Sequence, residues 1–486
     1  MGQAQSTTAA NKLRCIQEIE EKNNKFIERN YLDNDNKEYE GESSKPSIDR
    51  DLLDKFSNKF LAEPKNKLAM NSISRDDMAE VLTNRKATID NIHAFSDKIE
   101  LEGKATNQKS SGRCWLFAAT NVLRLILMKK YKLEEFELSQ SYLFFYDKFE
   151  KANYFLENII SLAGEDVDSR LVQYLIQDPV SDGGQWDMII NLLEKYGVVP
   201  KSVFPESFSS SSSSHLNWLV TTKLREFAYK LRGLHEAGNS EVQLRKAKIG
   251  MMEEIYRIMA ISLGEPPKDF TWSFHDKYGK FYEYKNLTPQ KFYKEFIGYK
   301  ATESFSLIND PRNAYYELYT IDYLGNIQSG SSIKYVNIPV DLMKSLTIKT
   351  LKKGKPVWFG SDVGKFSNST LGILDNNIID YELGFDVKFE MSKGDRLKYG
   401  QSAMTHAMVF TGVHLENNKP VRWRVENSWG SERGDKGYFV MSDDWFSEWV
   451  YQIVLEKLDA TKELVDILSK KPIVLPAWDP MGSLAI

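Results

Sequence analysis

The chain has 486 residues, 42% hydrophobic and 27% charged, with a formal net charge of −4. That length allows roughly two to four domains or one elaborated fold, and the composition is that of a globular protein with ample material for a core. The acidic balance gives the whole chain no attraction for nucleic acid or anionic membrane. Two cysteines in so long a chain argue for a reducing, cytoplasmic setting over a disulfide-stabilised secreted one.

No run approaches the roughly 18 apolar residues of a membrane-spanning helix, and no basic-then-apolar leader opens the chain. Met1-Gly2-Gln3-Ala4-Gln5-Ser6 matches the minimal N-myristoylation pattern. An acyl group on Gly2 would add only a marginal membrane contact. Residues 1–48, which include Cys15, are rich in Asn, Glu, Lys and Ser and read as a disordered or loosely attached extension. Residues 49–205 begin with short helical and extended patterns, then turn strongly apolar at Cys114-Trp115-Leu116-Phe117-Ala118. Apolar residues on nearly every side of the run from Cys114 to Met128 predict a helix buried within a domain. Ser139 is placed to cap a second apolar helix, and Asp182-Gly183-Gly184-Gln185 forms a glycine turn ahead of a third, Met188–Tyr196.

Residues 206–305 read as a helical insertion. Its six serines, Ser209–Ser214, predict a flexible loop, and Leu216–Leu234 and Val242–Leu263 carry helical periodicity. Lys223, Arg225, Lys230, Arg232, Arg245, Lys246 and Lys248 on those helices read as solvated faces, with weak nucleic-acid binding as the alternative. From residue 306 to 460 the pattern becomes strands, at Ile333–Ile338, Pro356–Gly360, Ala407–Gly412, Val421–Asn427 and Tyr438–Met441. Residues 461–486 form a tail in which Pro472, Pro476 and Pro480 forbid helix and Trp478 can act as an anchor. The whole predicts an α+β chain of two unlike lobes, one helical and one strand-rich.

Four residues carry candidate chemistry. Cys114 opens a helix, where the positive end of the macrodipole favours a thiolate, the reactive form of a thiol. Gln108, six residues upstream, can direct a side-chain N–H at developing negative charge. Of six histidines, His406 stands at the start of an apolar strand, from which it can act as acid and base across a cleft. Asn427, twenty-one residues further on, can accept the imidazole Nδ1–H, and Trp429 can shield that bond from water. No metal-ligand cluster, phosphate-binding loop or cofactor motif appears.

The order Gln108…Cys114-Trp115…His406-Ala407…Asn427-Ser428-Trp429-Gly430 resembles the papain-like cysteine peptidases and, within them, the bleomycin hydrolase family. The likeness runs from about Asn107 to the C-terminus and includes Leu307–Arg312 and Leu475–Gly482. It implies a papain-like two-lobe fold with a helical insertion and a C-terminal arm. It also implies a nucleophilic Cys114, His406 as acid and base, Asn427 as its orienting partner and Gln108 as oxyanion donor. Gly183 and Gly184 fall where the family binds extended substrate backbone. The arm would lie in the cleft, its terminal carboxylate at Ile486 pairing with the free α-amine of a peptide or small amide substrate. The implied activity is a cofactor-free aminopeptidase, and the implied assembly is a homohexamer. An ordinary papain-like endopeptidase is the alternative within the same chemistry.

Overall fold

The computed structural model describes residues 46–483; Gly2, Cys15 and Ile486, and the expectations attached to them, lie outside the described residues. The chain forms two compact units, the second beginning at Leu82. In the first unit, helices α1 (Arg50–Ala62) and α2 (Pro64–Ile73) follow each other directly. The Asp49 side chain accepts the Leu52 amide at 3.0 Å to start α1, and a proline in the first turn starts α2, where its missing N–H costs nothing.

The second unit carries the site. Helix α3 (Cys114–Tyr131) is buried along most of its length, as its all-round apolar pattern requires. It stops at Lys132, whose left-handed backbone (φ 55°) returns its N–H to the Met128 carbonyl. Helix α4 (Gln140–Ser161) is capped by Ser139, which accepts the Tyr142 amide at 3.0 Å, and α5 (Trp186–Tyr196) follows the glycine turn. The insertion holds α6 (Ser214–Glu236) and α7 (Glu241–Leu263). It is not wholly helical: Phe270–His275 and Phe281–Leu287 pair as an antiparallel hairpin.

The serine run departs from the expected flexible loop. Ser207 and Ser210 form a reciprocal cap on a short helix, Phe208–Ser211. Ser210 and Ser213 are buried, and the Ser213 hydroxyl donates to Asp182 at 2.5 Å. Serines order a backbone as readily as they loosen it when their hydroxyls find helix ends and carboxylates.

The strand-rich half is one twisted sheet. Its antiparallel centre runs in the order β1 (Ser304–Ile308), β6 (Val450–Glu456), β2 (Val357–Ser361), β3 (His406–Glu416), β4 (Lys419–Glu426) and β5 (Tyr438–Ser442). Short strands extend both ends, some of them in parallel pairing. Phe359 stacks on Phe410 at 3.8 Å, and Phe410 and Trp423 both pack on Phe446, filling one face. Across the sheet, the Trp358 indole donates to the Trp115 carbonyl at 3.3 Å, fixing α3 against β2.

In the first turn of α5, burial pushes the Asp187 carboxyl up to about 7, against the opposing Lys334 amide and charge. Between the ordinary carboxylate range and pH 7 the folded chain therefore holds a proton that the unfolded chain has released. Stability falls as pH rises through that window, and the penalty is complete above it. Asp187→Asn is expected to raise stability at pH 8 by about 4 kcal/mol and to leave it nearly unchanged near pH 4. Urea midpoints at the two pH values check this; equal shifts at both would refute it.

Candidate active site

Cys114 is fully buried as the first residue of α3, with Arg113 ahead of it in a non-helical conformation (φ −92°, ψ 14°). Arg113 holds that turn in place: its Nε donates to Ser111 Oγ at 2.8 Å and its Nη1 pairs with Glu206 at 2.8 Å. The Cys114 Sγ accepts the backbone N–H of Ala407 at 3.4 Å. Two residues separated by 293 positions in the chain are thus in contact, and the thiol lies beside the peptide that follows His406.

His406 starts β3 opposite Ser361 of β2, and Asn427 follows the last residue of β4. The two adjacent antiparallel strands bring the side chains together. His406 Nε2 donates to Asn427 Oδ1 at 2.9 Å, and the same oxygen accepts the Ser428 amide at 2.8 Å, which fixes the amide's orientation. The ring nitrogen differs from the sequence expectation of Nδ1. Nε2 lies at the far edge of the imidazole, within reach of the end of β4, and Nδ1 stays near the backbone where the Cys114 sulfur packs. The Trp429 ring covers the imidazole with centroids 4.8 Å apart.

Gln108 is tied into the same loop pair. Its backbone N–H donates to the Ser428 carbonyl at 2.9 Å, and its Oε1 accepts the Ser428 hydroxyl at 2.7 Å. Its Nε2 donates to the Ser111 carbonyl at 2.6 Å, leaving the second N–H of the amide for another acceptor. Ser428 therefore joins the Gln108 loop to the Asn427 loop, a role sequence reasoning missed. Its position inside the Asn-Ser-Trp-Gly motif was visible, but an Asn-Ser-Gly composition reads first as a turn.

The electrostatics of the pair follow from burial. Desolvation pushes the Cys114 thiol up to about 12, although the N–H groups of Ala407, Trp115 and Cys114 itself favour the thiolate. Desolvation likewise pushes His406 down to about 4, opposed by the Asn427 hydrogen bond. A lone charge on either group is costly here. Proton transfer from sulfur to imidazole creates both charges together, so each offsets the other's desolvation.

Gly183 and Gly184 lie beside this centre. A Cβ on Gly184 would sit 2.5 Å from the Trp115 indole, so only glycine fits. The Gly183 amide donates to Ser181 Oγ at 3.2 Å and its carbonyl accepts Lys151 Nζ at 2.5 Å. The tail is docked: Ile473–Leu475 adds a parallel strand to Leu318–Ile321. Arg312 pairs with Asp479 at 2.9 Å, and the Arg170 guanidinium lies 3.9 Å from the Trp478 ring centroid. The arm then reaches the glycine turn, where Gln185 Nε2 donates to the Ser483 carbonyl at 2.9 Å.

The basic residues of α6 and α7 lie elsewhere and are largely occupied. Lys223 pairs with Glu226 and Glu254, and Arg245 and Lys248 with Glu157. Arg225 donates to the carbonyls of Ile176 and Gln177. Among the described residues, no helix is long and apolar enough to cross a membrane, and no group of three His, Cys, Asp or Glu could hold a metal ion.

A family model described as the Peptidase C1-like family matches residues 47–482. Bleomycin hydrolase of Mus musculus is 46% identical over 439 residues, covering 88% of this chain and 96% of that protein. Aminopeptidase C of Streptococcus thermophilus is 42% identical over 442 residues, covering 90% and 99%. The crystal structure of PepW from Lactobacillus rhamnosis HN001 is 44% identical, covers 90% of this chain and 100% of its own, and superposes with a TM-score of 0.89. The two unlike lobes, the extended match and the near-complete superposition agree: the chain belongs to the Peptidase C1-like family and is a papain-like cysteine peptidase.

Proposed function

We propose that this enzyme is a cysteine aminopeptidase that removes N-terminal residues from peptides and related small amides. Homologues named bleomycin hydrolase and aminopeptidase C support that activity. The observation that carries the mechanism is the junction of Cys114, the His406–Ala407 peptide and Asn427 in one buried site. The Cys114 proton passes to His406 as sulfur attacks the amide carbon. The second Gln108 N–H and the Cys114 amide take the resulting oxyanion; donors of this kind are typically worth about 3 to 4 kcal/mol each. Collapse forms a thioester and expels the amine, which leaves with the proton held by His406. Water then attacks the thioester, giving up its proton to His406 and restoring the thiol as the carboxylic acid departs.

His406→Ala tests the shared proton. Without its partner the buried thiol keeps a raised pKa, so alkylation by iodoacetamide at pH 7 is expected to slow by about 100-fold or more and to recover only as pH climbs towards 12. An unchanged rate at pH 7 would show that Cys114 ionises independently of His406.

The C-terminal arm is the proposed gate. Its docking as far as Ser483, beside the glycine turn, supports a path into the cleft, with the carboxylate of Ile486 meeting the substrate's free amine. Gly183 has its amide and carbonyl engaged within the protein, so Gly184 is the better candidate to bind an extended chain. Deleting residues 483–486 is expected to weaken aminopeptidase action and allow cleavage of peptides with blocked N-termini; unchanged specificity would remove the gate. A homohexamer is the proposed assembly, and sedimentation at the mass of one 56.0 kDa chain would overturn it. The low cysteine count supports a cytoplasmic location.

A further inference from the structure

Two buried lysines on α4 hold the glycine turn from below. Lys148 Nζ donates to the Val180 carbonyl at 2.7 Å and pairs with Asp182 Oδ1 at 2.5 Å. Lys151 Nζ donates to the carbonyls of Ser181 at 3.0 Å and Gly183 at 2.5 Å, and pairs with Asp147 at 2.6 Å. Three carbonyls of a four-residue stretch are therefore fixed by ammonium groups. Free lysines would not be buried so fully without such partners, because each lost hydration bond must be replaced.

Asp182 extends this support in two directions. Its Oδ2 accepts the Gly112 amide at 3.1 Å, in the loop two residues before Cys114, and its backbone carbonyl accepts the Trp115 indole at 2.8 Å, one residue after Cys114. Ser213 donates to the same Oδ2. Burial works against its ionisation, yet the Lys148 ammonium and these donors hold the carboxyl well below the usual carboxylate range. On the other side of the turn, Gln185 holds the arm at Ser483. The nucleophile loop and the arm do not depend on each other directly in these contacts; both are referred to residues 181–185.

We propose that Asp182 and Lys151 are positioning residues that make this turn a common seat for the nucleophile loop and the C-terminal arm, setting the distance between Cys114 and the arm's end. The inference rests on the gate reading above and adds the device that sets the gate. Loss of the Lys151 ties to Ser181 and Gly183 moves the arm's side of the turn, while Asp182 still holds Gly112 and Trp115, so the thiol and His406 stay in place and the arm is misplaced relative to the scissile bond. The substrate's amine then loses its fixed reference, and longer chains gain entry.

The test uses the full-length enzyme carrying Lys151→Met, which leaves the Asp182 contacts to Gly112 and Trp115 intact, with three readouts. Iodoacetamide is small and does not need the arm, so its rate of Cys114 alkylation should stay within about threefold of the parent. KM for an aminoacyl coumarylamide should rise about tenfold with a smaller change in kcat, because the arm that meets the substrate's amine is displaced and the thiol is not. An N-acetylated peptide, refused by the parent, should become a substrate. Lys151→Arg, which keeps the charge and the donors, should restore most of the KM. Alkylation and hydrolysis falling together, with the blocked peptide still refused, would mean general damage and overturn the proposal. Unchanged KM and specificity would overturn it as well. If Lys151→Met does not fold, Lys151→Gln, which keeps a neutral donor at the same place, takes its role in all three readouts. Deletion of residues 483–486 separates the two readings. If that deletion also leaves specificity unchanged, the gate itself is wrong; if only the seat variants are silent, the gate stands and the seat does not.

Discussion

Cys114→Ala is expected to reduce hydrolysis of an aminoacyl coumarylamide by at least about 10⁴-fold, while the folded structure persists. The magnitude follows from the mechanism: without sulfur no thioester forms, and only the oxyanion donors and binding contacts remain to assist water. The fold should tolerate the change because alanine removes one buried sulfur from a helix start whose other contacts survive: Trp115 still donates to Asp182, and Arg113 still pairs with Glu206. Intact mass measured after treatment with an epoxide thiol reagent adds a second check. One adduct on the parent and none on the variant identifies Cys114 as the reactive thiol, with Cys15 left unlabelled. Activity close to the parent's would overturn the assignment.

The second large effect concerns a buried ion pair behind the site. Arg124, on the helix that begins at Cys114, pairs with Glu426 at 2.5 Å, and Glu426 immediately precedes Asn427. Both side chains are almost fully buried. Arg124 also donates to the Lys104 carbonyl at 2.8 Å. The pair thus connects the element carrying the nucleophile to the strand carrying the imidazole's partner. Replacing one member leaves the other charge in a water-poor interior, so Glu426→Ala or Arg124→Met is expected to cost about 3 to 5 kcal/mol of stability. The double variant Arg124→Met/Glu426→Leu should cost clearly less than either single change, because no unpaired charge remains. Calorimetric or denaturant midpoints of the three variants check this. Single variants no less stable than the double one would show that the pair's buried charges are solvated by some other route.

The sequence showed much of this molecule because its signals were local and strong. The apolar run after Cys114 had to be a buried helix, Ser139 had the chemistry of a cap, and five strand segments of the second half were placed within a few residues of the observed ones. Strands Ser304–Ile308 and Val450–Glu456 were not singled out, although both are central. Both are buried on both faces because the sheet is covered on both sides, and Ser304, Ser306 and Gln452 are buried beside the apolar residues, so polarity along so short a run does not mark the covered face. The hairpin inside the insertion was hidden for a different reason. Its aromatic residues pack with Tyr131 and Phe296, so its stability comes from distant partners. The serine run misled because composition records how freely a segment moves alone, not which hydroxyls will meet a helix end or Asp182.

What the sequence determined by itself was the cast: a cysteine at a helix start, a glutamine six residues before it, a histidine at a strand start and an asparagine at a strand end. Each is fixed by residues within one turn or one strand of it, so short-range rules suffice. The tertiary structure decided the relations among them. It chose Nε2 as the nitrogen facing Asn427, used Ser428 to join the two loops, buried thiol and imidazole so that neither carries a charge cheaply alone, and placed two α4 lysines under the glycine turn. Those outcomes depend on contacts between residues tens to hundreds of positions apart. They are set by packing and desolvation in the assembled core, quantities that a residue's sequence neighbours do not contain.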